Sequence, residues 1–280
     1  MATTQKAGVI GWPISHSRSP LIHNSWMAQY GMDASYDLCP IDPELDFRAA
    51  LENLAAQDYI GANVTLPHKE NAFRAMDRLT PAAQKLGAVN TISFKNGEMH
   101  GANTDGGGFV ASLDEAAPGH DWRERPVLLL GAGGAARALI VALEEEGVPE
   151  IRLTNRTRDR AEALLGLAER GLMIGDWAVR SDLAQDCGMV VNTTGLGMAE
   201  NPPLEMPLDR APKDALVSDI VYTPLQTAFL RDAIARGLVA IGGLGMLLHQ
   251  AALSFDIWFG RRPHISDALR AALTASIEEG

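Results

Sequence analysis

Short apolar runs bounded by turn residues alternate along the chain with longer segments whose apolar positions recur at helical spacing. Ala7–Gly11 reads as a strand, and Ser19-Pro20 starts a helix to about Tyr30, since serine caps and proline suits a first turn. Ser35–Cys39 is a second strand, Asp42-Pro43 opens a helix to about Gln57, and Ile60–Thr65 is a third strand. Glu70–Leu79 is expected to be helical, and Thr80-Pro81 caps another short helix. Asn90–Phe94 and Glu98–Ala102 flank Asn96-Gly97, a strong hairpin signal. A second series follows, with strands at Pro126–Leu130, Ile151–Asn155, Met189–Thr193, Leu216–Val221 and Val239–Ile241. Its helices are Ala135–Gly147 and Leu225–Arg236, the latter stopped by Gly237, and the tail Leu244–Glu279 is helical apart from Gly260–Pro263. Strands alternating with helices in this way imply an α/β fold whose sheets are mainly parallel and covered on both faces. Two series in 280 residues suggest two domains, at about 150 residues each. The seam is expected near Thr104–Phe109, where Gly106, Gly107 and Gly108 would relax the backbone.

The second series opens on a chemical signal. Strand, then Gly131-Ala132-Gly133-Gly134-Ala135-Ala136, then helix is the order of a dinucleotide-binding turn, with Ala136 at the third small position. The first glycine makes the turn and the second admits a pyrophosphate to the backbone. The helix N-terminus then offers free N–H groups and partial positive charge. A turn that only packs helix on strand is the plain alternative; the flanking strand and helix favour the dinucleotide.

The tip of the next strand bears on which dinucleotide. NAD is gripped by an Asp or Glu about 20 residues past the glycines. Here the strand ends Thr154-Asn155-Arg156-Thr157-Arg158-Asp159-Arg160, with no carboxylate at the tip and three arginines within five residues. The formal net charge of the chain is −11, so this local excess calls for a reason. Arginines at a helix start also oppose its dipole. A 2′-phosphate supplies the reason, because guanidinium pairs well with phosphate. NADP is therefore expected over NAD; the alternative is a solvated arginine face.

The same acidity argues against nucleic acid and anionic membrane surfaces as partners. No window approaches 18 consecutive apolar residues, and Met1–Gly8 has no apolar stretch, so neither a membrane span nor a secretory signal is expected. Cys39 and Cys187 lie far apart and form no metal pair or disulfide framework, which fits a reducing, cytoplasmic setting. His16, His68 and His249 lack metal-ligand spacing; no metal is expected, and they read as packing or loop residues.

In the first series, polar clusters fall where strands end: Gly11–Pro20, Asn63–Lys69, Asn90-Thr91 and Asn103-Thr104-Asp105. Ligands bind outside the carboxyl ends of parallel strands. Hydroxyls, amides, one lysine and one aspartate suit a small polyhydroxylated substrate.

Together these residues carry a family resemblance. Pro-Ile-x-His-Ser-x-Ser-Pro (Pro13–Pro20), Asn-Val-Thr-x-Pro-x-Lys (Asn63–Lys69) and Asn-Thr-Asp-Gly (Asn103–Gly106) resemble the shikimate dehydrogenase family. So do Gly-Ala-Gly-Gly-Ala-Ala-Arg (Gly131–Arg137), Asn-Arg-Thr (Asn155–Thr157) and Gly-Leu-Gly-Met-Leu-x-His-Gln-Ala (Gly243–Ala251). The resemblance implies NADP-dependent interconversion of 3-dehydroshikimate and shikimate. It implies a parallel-sheet substrate domain built from both chain ends, 1–105 plus 241–280, with a Rossmann-type NADP domain, 106–240, inserted between them. Ser17 and Ser19 resemble the serines that hold the substrate carboxylate, with Tyr222 near it, and Asn63, Thr65, Asn90 and Gln250 the groups on its hydroxyls. Lys69 and Asp105 resemble the catalytic pair. Gly131, Ala132, Gly133, Gly134 and Ala135 would hold the pyrophosphate, and Asn155, Arg156, Thr157 and Arg160 the adenosine phosphate. Thr193, Gly243 and Met246 would border the cofactor. One departure is the run Asn192-Thr193-Thr194-Gly195-Leu196-Gly197-Met198, in the middle of which many relatives have Ala and Ser.

The chemistry needs such a lysine. Hydride addition to a ketone leaves an alkoxide that must receive a proton, and an ammonium group can supply it. Lys69 could instead be a surface lysine at a helix start, and Asp105 a helix cap. Two other functions stay open: an NAD-dependent quinate/shikimate dehydrogenase, and a catalytically silent NADP-binding regulator. The presence of both Lys69 and Asp105 argues against the silent one. A monomer and a homodimer are both compatible with the sequence.

Overall fold

The computed structural model describes residues 4–279. The chain runs through β1 (Gln5–Gly11), α1 (Ser19–Gln29), β2 (Ala34–Pro40), α2 (Phe47–Ala56), β3 (Tyr59–Val64), α3 (Lys69–Ala75), β4 (Arg78–Leu79), α4 (Pro81–Leu86), β5 (Thr91–Lys95) and β6 (Glu98–Ala102). It continues through α5 (Asp105–Ala116), β7 (Val127–Leu130), α6 (Gly134–Glu145), β8 (Ile151–Thr154), α7 (Arg158–Glu162), β9 (Leu172–Gly175), β10 (Met189–Asn192) and β11 (Leu216–Asp219). Last come α8 (Ala228–Ala235), β12 (Val239–Ile241), α9 (Leu244–Phe259) and α10 (Asp267–Glu278). The chain forms two compact units. One holds the residues up to Thr104 together with Gln250–Ala275; the other holds Asp105–His249 and the residues from Ser276. The second crossing thus falls inside α9, between His249 and Gln250.

The first unit has one sheet in the order β2-β1-β3-β5-β6-β4. β1 pairs parallel with β2 and β3, the β5–β6 hairpin adds antiparallel strands, and β4 returns parallel to β6. The hairpin turn uses Asn96 at φ 54° and Gly97 at φ 79°, the left-handed pair that matches strand twist. Ile10, Val64 and Ile92 are buried with Phe47 and Leu51 of α2. Trp258 of α9 donates its indole N–H to the Ile92 carbonyl at 2.8 Å. Gly61 permits this approach, since a Cβ there would overlap the Trp258 ring.

Several helices depart from the expected bounds, among them α8, which starts at Ala228 behind the Thr227 cap and not at Leu225. α2 starts at Phe47, because the Asp46 side chain caps it by accepting from the Ala49 amide at 3.1 Å. The expected helix through Leu79 stops at Ala75 and gives way to β4. Asp77 draws this segment onto the sheet edge: its backbone N–H bonds to Met99 O at 2.9 Å, and its carboxylate accepts from Met99 N at 2.8 Å.

His23 of α1 is buried against Tyr36, with ring centroids 4.2 Å apart and planes 6° from parallel. Neither ring nitrogen has a hydrogen-bond partner among the described residues. Burial drives its pKa down to about 3, against a smaller opposing influence from the Asn63 side chain. The folded value lies below the unfolded 6.5, so the unfolded chain binds the extra proton between these values, and stability falls as pH drops through that window. At pH 5 this costs about 2 kcal/mol relative to pH 7. His23→Phe keeps the stacked ring and removes both nitrogens. Thermal melts should then show a smaller loss between pH 7 and pH 5 than the native chain; equal losses would exclude His23 as the cause.

The second unit has a sheet in the order β12-β11-β10-β7-β8-β9, parallel throughout. This is the doubly wound dinucleotide-binding order, whose ligand crevice lies where the strand order reverses, here between β7 and β10. β7, β10 and β11 are buried along their whole length, as strands covered on both faces must be. β9 was not expected from the sequence pattern, being short and flanked by polar residues, whereas α7 supplies the helix start at the arginines. The glycines at 106–108 form no relaxed linker; they lie in the first turn of α5. A Cβ at Gly106 would stand 2.7 Å from Ala142 Cβ and 2.8 Å from Ala138 O, so glycine here lets α5 and α6 pack closely.

Candidate active site

In the first unit, the strand ends carry a buried polar network. Asn63, the penultimate residue of β3, accepts from the Tyr36 hydroxyl at 2.7 Å through Oδ1. Its Nδ2 donates to Ser254 Oγ at 2.8 Å and contacts Asn90 O and Thr91 Oγ1. Asn90 Oδ1 accepts from the Thr104 amide at 2.8 Å and the Thr91 hydroxyl at 2.9 Å, while Asn90 Nδ2 donates to Thr104 Oγ1 at 2.9 Å. Ser254 donates to the Gln250 carbonyl one helical turn back. Fully bonded networks of this kind fix rotamers and amide orientation. Asn63 and Asn90 are therefore brought together, with Gln250 tied to them through Ser254.

Lys69 opens α3 and is half-buried; its carbonyl accepts from Val89 N at 3.0 Å, which sets it beside the start of the Asn90 segment. Thr65 bonds through its backbone to Ile10 O at 2.9 Å and to His68 N at 2.9 Å, placing it between β1 and Lys69. Asp105 follows Thr104 directly and is the first residue of α5. Ser19 is the first residue of α1 and buried; the Ser17 hydroxyl accepts its N–H at 3.3 Å, so the serine that closes the helix start is Ser17 and not Ser19. Sequence reasoning placed Thr91 and Thr104 in the polar clusters without a role, and passed over Tyr36 and Ser254. Ser254 carried one usable signal, its i+4 spacing from Gln250 on a helix.

In the second unit, Gly131 adopts φ +110°, a conformation that an L side chain rarely takes, and a Cβ there would also crowd Thr194 Cγ2 at 2.6 Å. Ala132 packs partly buried against the core, and Ala135 lies in the first turn of α6. Gly133 is the N-cap of α6, and no side chain caps this helix start. A Cβ at Gly133 or Gly134 would meet nothing within 4 Å, so there is room over unused amides at the dipole's positive end. That is the donor set a pyrophosphate requires.

Beyond β8, Asn155 Nδ2 donates to Thr157 O at 2.7 Å and closes the loop. Thr157 is the N-cap of α7, yet its hydroxyl makes no cap bond. Arg158 is taken by Glu162 at 2.6 Å, whereas Arg156 and Arg160 are exposed and form no ion pair among the described residues. The Thr193 hydroxyl turns inward, donating to the carbonyls of Leu130 and Gly131 at 2.9 and 3.1 Å, and so holds the glycine turn. Met246 packs partly buried against the apolar core. A cavity of about 270 Å³ opens at the ends of β10 and β11, lined by Thr193, Thr194, Met198, Ile220, Val221 and Tyr222 among others. Tyr222 therefore belongs with the second unit's residues.

Gly243 donates its N–H to Val221 O at 3.2 Å, and a Cβ on it would overlap the Ile220 carbonyl. Gly243→Ala should cost about 3 kcal/mol or more, the scale of overpacking against backbone. Denaturant unfolding checks this, and a loss below about 1 kcal/mol would contradict the contact.

The histidines stand apart from this chemistry. His68 is buried, bonded to Ile41 O at 2.7 Å and stacked on Phe47; His249 pairs with Glu115 at 3.0 Å; His16 is exposed in its loop. Among the described residues, no group of three or more His, Cys, Asp or Glu is placed to hold a metal. Nor, among the described residues, is any helix long and apolar enough to cross a membrane.

Residues 9–92 match the family model of the shikimate dehydrogenase substrate binding domain, and residues 243–273 that of the shikimate 5'-dehydrogenase C-terminal domain. The NADP+-dependent shikimate dehydrogenase of Methylocella silvestris is 47% identical over 278 residues, 99% of either chain. This chain belongs to the shikimate dehydrogenase family. The shikimate dehydrogenase of Thermus thermophilus, solved in complex with NADP(H) and shikimate, is 33% identical with a TM-score of 0.84, covering 98% of this chain and 99% of its own. A quinate dehydrogenase from Corynebacterium glutamicum, solved with NAD, is 28% identical with a TM-score of 0.90, over 97% of this chain and 99% of its own. Both likenesses cover at least 97% of this chain.

Proposed function

We propose that this chain is an NADP-dependent shikimate dehydrogenase, interconverting 3-dehydroshikimate and shikimate. The observation that carries the reading is the pair of uncommitted arginines at the β8 tip, in a chain nearly half identical to an NADP+-dependent enzyme along its length. On this reading the first unit takes the substrate and the second the cofactor.

When bound, NADP(H) supplies or accepts the hydride. Ser17 and Ser19 hold the substrate carboxylate, with Tyr222 contributing to the same end. Thr65 and Gln250 reach its hydroxyls, together with Asn63 and Asn90, whose orientation the Tyr36–Ser254–Thr104 network fixes in advance. Lys69 as ammonium protonates the nascent alkoxide, and as free amine takes the alcohol proton in reverse, with Asp105 as its partner. The amides of the Gly131–Ala135 turn hold the pyrophosphate. Asn155, Arg156, Thr157 and Arg160 hold the 2′-phosphate end. The partner is a small molecule, met in the cytoplasm by a monomer or homodimer.

The likeness to an NAD-bound quinate dehydrogenase supports a second reading, use of NAD and quinate. Against it stand Arg156 and Arg160, which a bare ribose does not need, and the two serines, which lean towards shikimate. Initial rates over the four pairings of NADP+ or NAD+ with shikimate or quinate decide between them. NADP+ with shikimate should be fastest; a faster NAD+–quinate pair would favour the second reading.

A further inference from the structure

Asp219 ends β11 with no solvent exposure. Its Oδ1 accepts from Asn192 Nδ2 at 2.9 Å and from Val221 N at 3.0 Å, and its Oδ2 accepts from the Thr227 hydroxyl at 2.7 Å. Asn192, in turn, organises the loop after β10. Its Oδ1 accepts from the Thr194 amide and hydroxyl at 3.0 and 2.7 Å, and its Nδ2 also reaches Leu196 O at 3.1 Å. One carboxylate thus joins two segments, 192–198 and 220–227. These same segments supply the two walls of the 270 Å³ cavity, Thr193, Thr194 and Met198 on one side and Ile220, Val221 and Tyr222 on the other.

Burial raises the pKa of Asp219, and the donors from Thr227, Val221 and Asn192 oppose that rise. A buried carboxylate is costly, and apolar packing would hold two loops together at less expense. The cost suggests that spacing and orientation, rather than stability, are what the carboxylate provides. The sheet order says what the spacing serves. With the 2′-phosphate end at β8 and the pyrophosphate at the β7 turn, the remaining end of an extended dinucleotide lies over β10 and β11, where the cavity opens.

We propose that Asp219 is a positioning residue for the nicotinamide end of the cofactor: by tying Asn192 to Val221 and Thr227, it fixes the distance between the walls that receive the ring. This rests on the NADP reading. The experiment uses NADPH, adenosine 2′,5′-bisphosphate and the full-length protein. Asp219→Ala should lose most of the change in NADPH fluorescence seen on binding to native protein, and its kcat should fall at least about 10-fold. The bisphosphate, which lacks the nicotinamide end, should bind within about twofold of native. Asp219→Asn should recover most of the fluorescence change, since its amide oxygen still accepts from Asn192 and Val221 and the Thr227 hydroxyl can rotate to accept.

Native fluorescence in Asp219→Ala overturns the proposal. So does a matching loss of bisphosphate binding, which means general damage, or an Asp219→Asn as impaired as the alanine variant, which means charge and not geometry. If Asp219→Ala does not fold, Thr227→Val against Thr227→Ser asks the same question of one bond; native fluorescence with Thr227→Val again overturns it. Native protein that binds neither NADPH nor the bisphosphate would remove the NADP reading itself.

Discussion

Lys69→Ala is expected to lower kcat at least about 100-fold, the scale of a lost acid–base group, with KM for shikimate changed less. The residue sits at the start of α3, tied through its carbonyl to Val89 and so to the segment that carries Asn90. Its backbone is thus fixed independently of the side chain, and truncation should leave the fold intact. Lys69→Arg should fail as well, because guanidinium does not deprotonate in proteins and cannot take the alcohol proton. Steady-state kinetics separate the roles: a kcat near native with only KM raised would make Lys69 a binding group.

The second large effect is expected at the β8 tip. Arg156→Ala combined with Arg160→Ala should raise KM for NADP+ by about 10- to 100-fold, the range for losing charge-assisted bonds to a phosphate. KM for NAD+ should change by less than about threefold, since NAD+ has no phosphate for these side chains to meet. Arg158 is the internal control. It is already paired with Glu162, so Arg158→Ala should leave cofactor preference near native. Parallel losses for both cofactors would show that the loop itself, and not its charge, had been damaged.

Much of this architecture was legible because its signals are local. The Asn96-Gly97 turn, the Thr80 cap and the glycine turn before α6 each follow from the conformations a few residues can adopt. The clusters at strand ends were equally visible, since polar residues interrupt apolar runs there. Contacts distant in sequence were not. Asn63 meets Ser254 across 191 residues, and Asp77 pulls its segment onto β6 by bonding Met99. Gly106 read as a flexible seam because only the structure brings Ala138 and Ala142 against it. Nor did the sequence show that the Thr193 hydroxyl is turned onto the carbonyls of Leu130 and Gly131, 63 and 62 residues away. His23 gave no signal in the sequence, for a histidine on a helix says nothing of a ring stacked in an aromatic core.

In the proposed reaction shikimate passes a hydride to NADP+ and its hydroxyl proton to a base. The most direct test incubates purified protein with shikimate and NADP+ and follows NADPH formation, with the organic product identified by mass. Equal amounts of NADPH and 3-dehydroshikimate, formed only when both reactants are present, are predicted. No NADPH despite demonstrated NADP+ binding would contradict it.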